Sequence, residues 1–191
     1  MHNEFMRSLV RRLAAVSVFG LLLTGCTSHN SMDTRDQSST EVADVAFAQM
    51  MIPHHEQAVV MSEFALTNTD NSEVLALAQE IIDAQGPEIN QMNAILERFN
   101  ANMGGHEGHT MAGMLTDEEL EALQAAQGPE FDRLYLIGMI AHHEGAIDMA
   151  NDVLAAGTDP EVRALAEAII AAQMEEIELM QMLLPVDNVT R

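Results

Sequence analysis

Two short segments of the chain carry the same set of side chains that could bind a metal ion. Residues 51–61 read MIPHHEQAVVM, and residues 139–149 read MIAHHEGAIDM. Each segment holds two adjacent histidines with methionines on both sides. Imidazole and thioether groups are borderline to soft donors, which favour copper, especially Cu(I), over magnesium, calcium or manganese. The two segments therefore predict a site for a soft metal ion.

On a helix, the spacing of these side chains would bring them together. Residues three, four or seven apart share one stripe of a helix. Met51 and His55 are four residues apart, and His54 and Met61 are seven apart. We therefore expect at least one histidine and two methionines of each segment to face the core. Which histidine does so is open, and the alternatives for the other are a supporting or a surface position. The second segment predicts the same arrangement for Met139, His142, His143 and Met149.

Iron is less favoured than copper by these segments. A dinuclear iron site in a helical bundle takes a glutamate from each helix, two of them in Glu-x-x-His pairs. The residue three before His54 is Met51, and the residue three before His142 is Met139. A thioether therefore stands where an iron site would need a carboxylate.

An internal repeat must position these residues. Residues 47–96 align with residues 135–184 without a gap, at a constant offset of 88. Both copies show apolar residues at helical spacing around a short polar break, so each copy predicts a helical hairpin. Two such hairpins predict an all-α four-helix bundle, whose interior is where facing helices deliver ligands to a metal ion.

The bundle is predicted to span residues 41–185, and a tail follows at 186–191. The first hairpin occupies 41–101 and the second 129–185, with a Met/His-rich loop and a short helix in 102–128. The first helix should run from about Glu41 to Leu66, with a kink at Pro53, and Gly86–Pro87 should interrupt the second. Predicted helix caps are Ser72, Asp159 before Pro160, and a capping box at Thr116–Glu119.

The loop between the hairpins is a second candidate for metal capture. Residues 100–114 read NANMGGHEGHTMAGM. Short tracts rich in such donors are typical of metal binding, and glycines would let them converge on an ion. The alternative is a polar linker that happens to contain histidines. The candidate ligands of this loop are His106, His109, Met111 and Met114.

The start of the chain predicts a lipoprotein signal peptide over residues 1–25. Three arginines precede an apolar run from Leu13 to Leu23, which is too short to span a bilayer. The run ends in LTGC, so we expect Cys26 to be lipidated and residues 26–40 to form a flexible tether. Cys26 is the only cysteine, which excludes an internal disulfide. The predicted location is extracytoplasmic, on a membrane that the protein contacts only through its lipid.

The charge balance limits the partners further. The chain has 30 acidic and 8 basic residues and a formal net charge of -22. Such a charge argues against binding to nucleic acid or to anionic lipid, and it raises the local concentration of cations.

A doubled motif resembles a known family. HHxxAxxM occurs in both repeats, and each copy is followed by AQxxEIxxM, at residues 84–92 and 172–180. This combination resembles the bacterial domain-of-unknown-function family 305 over about residues 41–185. The resemblance implies a ferritin-like four-helix bundle, export from the cytoplasm, and copper binding as in some members. It implies as ligands His54, His55, Met61, His142, His143 and Met149, with Gln85, Met92, Gln173 and Met180 as weaker candidates.

We therefore expect an extracytoplasmic protein that scavenges, buffers or chaperones copper, with a metal-transfer protein as a partner, rather than an enzyme. Binding through histidine should weaken below about pH 6, because a protonated imidazole cannot bind metal. One alternative is a ferritin-like redox enzyme with a mixed histidine and carboxylate site. Its candidate carboxylates are Glu56, Glu88, Glu144 and Glu176. Another alternative is an interaction module without metal.

Overall fold

A computed structural model describes the backbone of residues 34–103 and 111–184 and the side chains from residue 41 onward within them. Its helices, which belong to one compact unit of Asp33–Arg191, are α1 (Thr34–Asn68), α2 (Ser72–Arg98), α3 (Asp117–Ala125), α4 (Gly128–Ala156) and α5 (Pro160–Leu183). No strand occurs within these two ranges. The predicted all-α bundle of two helical hairpins with a short helix between them is confirmed.

The capping predictions are confirmed at two of three sites. The Asp159 side chain accepts hydrogen bonds from the amides of the first turn of α5, and Thr116 and Glu119 form a capping box at the start of α3. The N-cap of α2, however, is Asn71, whose side chain accepts from the Glu73 amide, and not Ser72. Asparagine caps helices as well as serine does, so the two neighbours compete and the sequence alone does not separate them.

Two helix boundaries differ from the predictions. Helix α1 begins at Thr34 and not near Glu41, so residues 34–40, predicted as tether, are helical. Extending an existing helix adds one hydrogen bond per residue and avoids the cost of nucleation. Helix α2 also continues through Gly86–Pro87, where an interruption was predicted. Buried residues on both sides of this proline, Gln85 and Met92 among them, hold both halves of the helix against the core.

The two hairpins pack against each other through α1 and α4, which run antiparallel. Near the start of α1, the Asp44 carboxylate accepts from the Asp159 amide, just beyond the end of α4. Near the end of α1, the Ser62 hydroxyl bonds to the Tyr135 hydroxyl, 2.9 Å away, near the start of α4. Helix α2 lies on the other side of α1, and α5 lies against α4. No helix in the described part of the chain is apolar and uncharged over a length that would cross a bilayer.

The apolar core is divided into two clusters. We call them the Phe47 cluster and the Tyr135 cluster, after two residues at equivalent positions of the repeats. On each long helix, polar residues separate the members of one cluster from those of the other. The Phe47 cluster comprises Phe47, Ala48, Met51, Ile52, Met92, Ile95, Leu96, Ala146, Ala150, Val153, Val162, Leu165, Ala166 and Ile169. The Tyr135 cluster comprises Ala58, Met61, Ala65, Val74, Leu77, Ala78, Ile81, Leu123, Phe131, Tyr135, Leu136, Met139 and Met180.

Several predictions concern residues outside the described part of the chain. These are the signal peptide (1–25), lipidation at Cys26, the loop histidines His106 and His109, and the tail (186–191).

Candidate metal centre

All four histidines of the two pairs are buried, each with 0% of its surface exposed. Helix α1 lies between α2 and α4, so its buried stripe is wide enough to include two consecutive residues. His54 faces α4, and His55 faces α2. The expectation of at least one inward-facing histidine in each pair is met by both histidines, and the surface position considered for the second histidine is wrong.

The two repeats meet at a central pair of histidines. The rings of His54 and His142, which are equivalent under the repeat offset, have centroids 3.7 Å apart and planes tilted by 40°. Each repeat thus contributes one ring to the same point of the interface between α1 and α4. His143 lies further out, with its ring centroid 6.4 Å from that of His142.

Each of the other two histidines is held by a carboxylate. His55 Nε2 donates to Glu88 Oε2 at 2.8 Å, and His143 Nε2 donates to Glu176 Oε2 at 2.6 Å. The two pairs are equivalent in the repeats and join the helices within each hairpin. A carboxylate that accepts from one ring nitrogen fixes the tautomer and orients the other nitrogen, as the outer partners of metal-bound histidines do. In a neutral ring, the lone pair of Nδ1 is then free to bind an ion.

Sequence reasoning considered Glu88 and Glu176 only as ligands of a rival site. It missed their role as partners of the histidines. The signal was present in the sequence, because both copies separate the histidine from its glutamate by the same interval.

The chain between the hairpins covers His54. His54 Nε2 donates to the carbonyl oxygen of Ala112 at 3.2 Å. The Gln57 side chain fixes this stretch, which we call the connecting segment (111–115), through one hydrogen bond to the Leu115 carbonyl and one from the Leu115 amide. The close approach requires glycine on α4, since a Cβ at Gly145 would lie 1.9 Å from the Ala112 oxygen. Sequence reasoning did not predict this contact.

Several polar atoms between the two apolar clusters lack hydrogen-bond partners. Among residues 41–103 and 111–184, these include Nδ1 of all four histidines and amide atoms of Gln85 and Gln173. Neither ring nitrogen of His142 has a hydrogen-bond partner. The His54 carbonyl lies close enough to raise the pKa of His142, but not in hydrogen-bond geometry. A buried polar atom without a partner typically costs about 1–3 kcal/mol. The polar layer, as we call this set, comprises His54, His55, Gln85, Glu88, His142, His143, Gln173 and Glu176.

Burial controls the protonation of the central pair. It lowers the pKa of His54 to about 4, while the hydrogen bond to Ala112 opposes this shift and the neighbouring His55 and His143 add to it. Burial also lowers the pKa of His142 well below its ordinary value. Both rings are therefore neutral, and able to bind metal, well below pH 6. For this pair, the lowered pKa values predict that copper binding persists below about pH 6, where an ordinary histidine would lose its ion.

The predicted methionines surround the polar layer on both sides. Met51, Met61, Met92, Met139 and Met180 are fully buried, and Met149 is half-buried. Because the hairpins are antiparallel, equivalent methionines lie in opposite clusters: Met51 belongs to the Phe47 cluster and Met139 to the Tyr135 cluster. Met111 and Met114 are half-buried in the connecting segment.

The described side chains do not form a closed site of the zinc type. In this part of the chain, no three residues among His, Cys, Asp and Glu are grouped so as to hold a metal ion. The histidines meet instead in pairs, and the other soft donors nearby are thioethers. Such a donor set suits an ion of low coordination number more than one that demands four hard ligands.

Known proteins are similar to this chain in sequence and fold. A DUF305 protein of Streptomyces coelicolor that is thought to be secreted is 33% identical, with a TM-score of 0.71, over 74% of this chain and 91% of that one. CopM in its Cu(II)-bound form is 36% identical, with a TM-score of 0.64, over 73% of this chain and 94% of that one. CopM also has Cu(I)-bound and Ag-bound structures.

A viral protein, uncharacterized protein L153 of Acanthamoeba polyphaga mimivirus, is 39% identical over 56 residues, which cover 29% of this chain and 37% of that protein. The family model described as "Domain of unknown function (DUF305)" matches residues 44–184. The resemblance found in the doubled motif is thereby confirmed. The chain belongs to the DUF305 family.

Proposed function

We propose that the protein binds Cu(I) in the polar layer and serves to scavenge, buffer or pass on copper outside the cytoplasm. The observation that carries this proposal is the set of buried ring nitrogens without partners. Four Nδ1 atoms lie between two apolar clusters, where each would otherwise be desolvated without compensation. A bound ion would satisfy them.

The donors fit a soft monovalent ion. Neutral imidazole nitrogens would come from His54 and His142 at the centre and from His55 and His143 beside them. Methionine thioethers from the flanking clusters would supply sulfur, the donor that selects Cu(I). Glu88 and Glu176 would hold their histidines in the tautomer that presents Nδ1. The bound forms of CopM support copper as the ion.

The redox-enzyme alternative receives less support. Glu56 and Glu144, which follow the histidine pairs directly, are exposed. Glu88 and Glu176 are each engaged by a histidine. A carboxylate-rich site that activates oxygen would need several of these groups free to face an ion. We therefore propose a binding protein rather than an oxidase.

A competition titration tests the proposal. Cu(I) would be partitioned, without oxygen, between the protein and a chromogenic Cu(I) chelator. We expect His54→Gln/His142→Gln to weaken the tightest binding by at least about tenfold, or 1.4 kcal/mol. The matched control, His106→Gln/His109→Gln, removes two histidines of the loop and should leave the tightest binding unchanged. Loss of tight binding only in the loop variant would place the site outside the bundle, and equal binding by all three proteins would refute a role for these histidines.

The proposed location rests on the LTGC sequence and on the relative that is thought to be secreted. Lipidation of Cys26 would tether the acidic bundle to a membrane. Cys26→Ala should move the protein from the membrane fraction to the soluble fraction, whereas Ser31→Ala, a change further along the tether, should not. An unchanged distribution of the Cys26 variant would contradict lipid anchoring.

A further inference from the structure

The repeat provides an internal comparison of two surface positions along the interface between α1 and α4. At one end of this interface, a groove of about 160 Å³ is open. Its lining includes Met50 on α1 and Met149 and Asp152 on α4. Met50 and Met149 are half-buried, and Asp152 is exposed. Two thioethers and a carboxylate thus border one opening of the bundle surface.

The equivalent position in the other half of the molecule has a groove of about 290 Å³ that is lined by the connecting segment, α3 and α4, and not by α1. The counterparts of Met50 and Met149 are Gly138 and Met61. A Cβ at Gly138 would lie 3.2 Å from Leu115 Cδ1 and 3.4 Å from Met61 Cε, so Leu115 of the connecting segment packs beside Met61. Met61 is accordingly fully buried, whereas Met149 is not. The fold therefore covers one of two equivalent methionines and leaves the other accessible.

The open groove lies one to two helical turns from the central histidines along α1 and α4. Met50 precedes His54 by one turn on the same stripe of α1, about 6 Å along the axis. Met149 follows His142 by two turns on the same stripe of α4, about 10 Å along the axis. Because the rings of His54 and His142 are in contact, the two stripes face each other along the interface between α1 and α4. The Ala112 carbonyl, which accepts from His54, also lies against Gly145, between His142 and Met149 on α4.

We propose that Met50 and Met149 form a separate, accessible site for a monovalent soft ion, Cu(I) or Ag(I), through which the polar layer is loaded. This inference rests on the proposed function for its destination but not for the binding at the groove. The two sulfurs select the soft ion, and Asp152 together with the acidic surface raises its local concentration. The ion then moves along the interface between α1 and α4 to the imidazole nitrogens of the central pair.

The groove can be tested on the whole protein with methyl-labelled methionine. Ag(I), which is redox-inert, would be titrated while the methyl signals of the 15 methionines are followed. We expect the signals of Met50 and Met149 to shift in the wild-type protein and equally in His54→Gln/His142→Gln. The inference is overturned if these signals do not move, or if their shift disappears when the central histidines are removed.

A kinetic measurement tests the route. Met50→Leu/Met149→Leu nearly conserves volume, so the fold should persist, as circular dichroism would verify. We expect Cu(I) to enter the polar layer of this variant about tenfold more slowly, but to reach the same final occupancy. About tenfold is the smallest increase in association rate that a raised local ion concentration typically gives. The control Met174→Leu/Met182→Leu changes two exposed methionines of α5 and should load at the wild-type rate.

The outcomes separate the two proposals. An unchanged loading rate in the Met50/Met149 variant would overturn the route even if the polar layer binds copper. Binding at the groove without any occupancy of the polar layer would refute the proposed function and the route, and would leave the groove site intact.

Discussion

The metal-free protein should lose stability as the pH falls from about 7.5 to about 5.5 because of its central histidine pair. Burial lowers the pKa of His54 to about 4 in the folded protein, whereas an unfolded histidine has its ordinary value of 6.5. Between these two values the unfolded chain binds a proton that the folded chain does not. The free energy of unfolding therefore decreases as the pH falls through this window, and the contribution is fully present only above the unfolded pKa.

The magnitude follows from the two pKa values. At about pH 5.5 the unfolded imidazole is nearly all protonated and the folded one nearly all neutral, which gives about 1.4 kcal/mol for His54. The loss should approach about 3 kcal/mol near pH 4, but carboxylates titrate there as well. His142 adds to the loss in the same direction, because burial also lowers its pKa.

The assay is urea unfolding at both pH values with a chelator present. The chain has no tryptophan, so far-UV circular dichroism would report the transition. His54→Gln provides the comparison, since glutamine can still donate to the Ala112 carbonyl but does not titrate. We expect the pH-dependent loss of stability to be smaller in this variant by about 1.4 kcal/mol. Identical pH dependence in the two proteins, or a wild-type protein that gains stability over this window, would refute the reasoning.

Three further perturbations test the contacts around the polar layer. Glu176→Gln, and separately Glu88→Gln, should weaken Cu(I) affinity about tenfold, which is the low end of the effect of losing an outer partner of a metal ligand. The far-UV circular dichroism spectrum should not change. Unchanged affinity in chelator competition would exclude orientation of the histidine by the carboxylate. Gly145→Ala should destabilise the protein by about 1–3 kcal/mol in urea, because the new Cβ would overlap the Ala112 carbonyl. The control Gly86→Ala adds a Cβ that meets no described atom within 4 Å, so it should stabilise α2 by up to about 1 kcal/mol. Equal effects of the two changes on the free energy of unfolding would contradict the contact between Gly145 and the Ala112 carbonyl. Tyr135→Phe should lower the free energy of unfolding by about 1–2 kcal/mol, because it leaves the buried Ser62 hydroxyl without its partner. Ser62→Ala in the same background should restore part of this stability, since the equivalent positions of the other repeat already hold the apolar pair Phe47 and Ala150. If the two changes lower the free energy of unfolding additively, this coupling is disproved.

Much of the fold could be predicted because its signals are local and occur twice. The repeat offset fixed the hairpins, and Asp159 before Pro160 marked the start of α5. The start of α1 could not be predicted as well, because a helix that is anchored further along extends into polar residues at little cost. Pro87 was misread for a related reason, since the buried residues on both sides of it outweigh one lost hydrogen bond.

The candidate site was predicted in its residue types but not in its geometry. Spacing on a single helix indicated that at least one histidine of each pair would face inward, and it left the position of the other open. Both histidines are buried because α1 packs against α2 and α4, and the sequence of a single helix does not show how many neighbours it has. The contact of the Ala112 carbonyl with His54 joins residues 58 positions apart and depends on the path of the connecting segment. The split of Met51 and Met139 between opposite clusters likewise follows from the antiparallel packing of the hairpins, which a one-dimensional alignment does not contain.

The most direct test of the copper site is the X-ray absorption spectrum of the protein loaded with one equivalent of Cu(I). The polar layer predicts scattering from imidazole rings together with sulfur, and it predicts that the imidazole contribution falls in His54→Gln/His142→Gln. A spectrum that contains only sulfur or oxygen neighbours, or one that is identical in the variant, would contradict the assignment of the ion to the buried histidines.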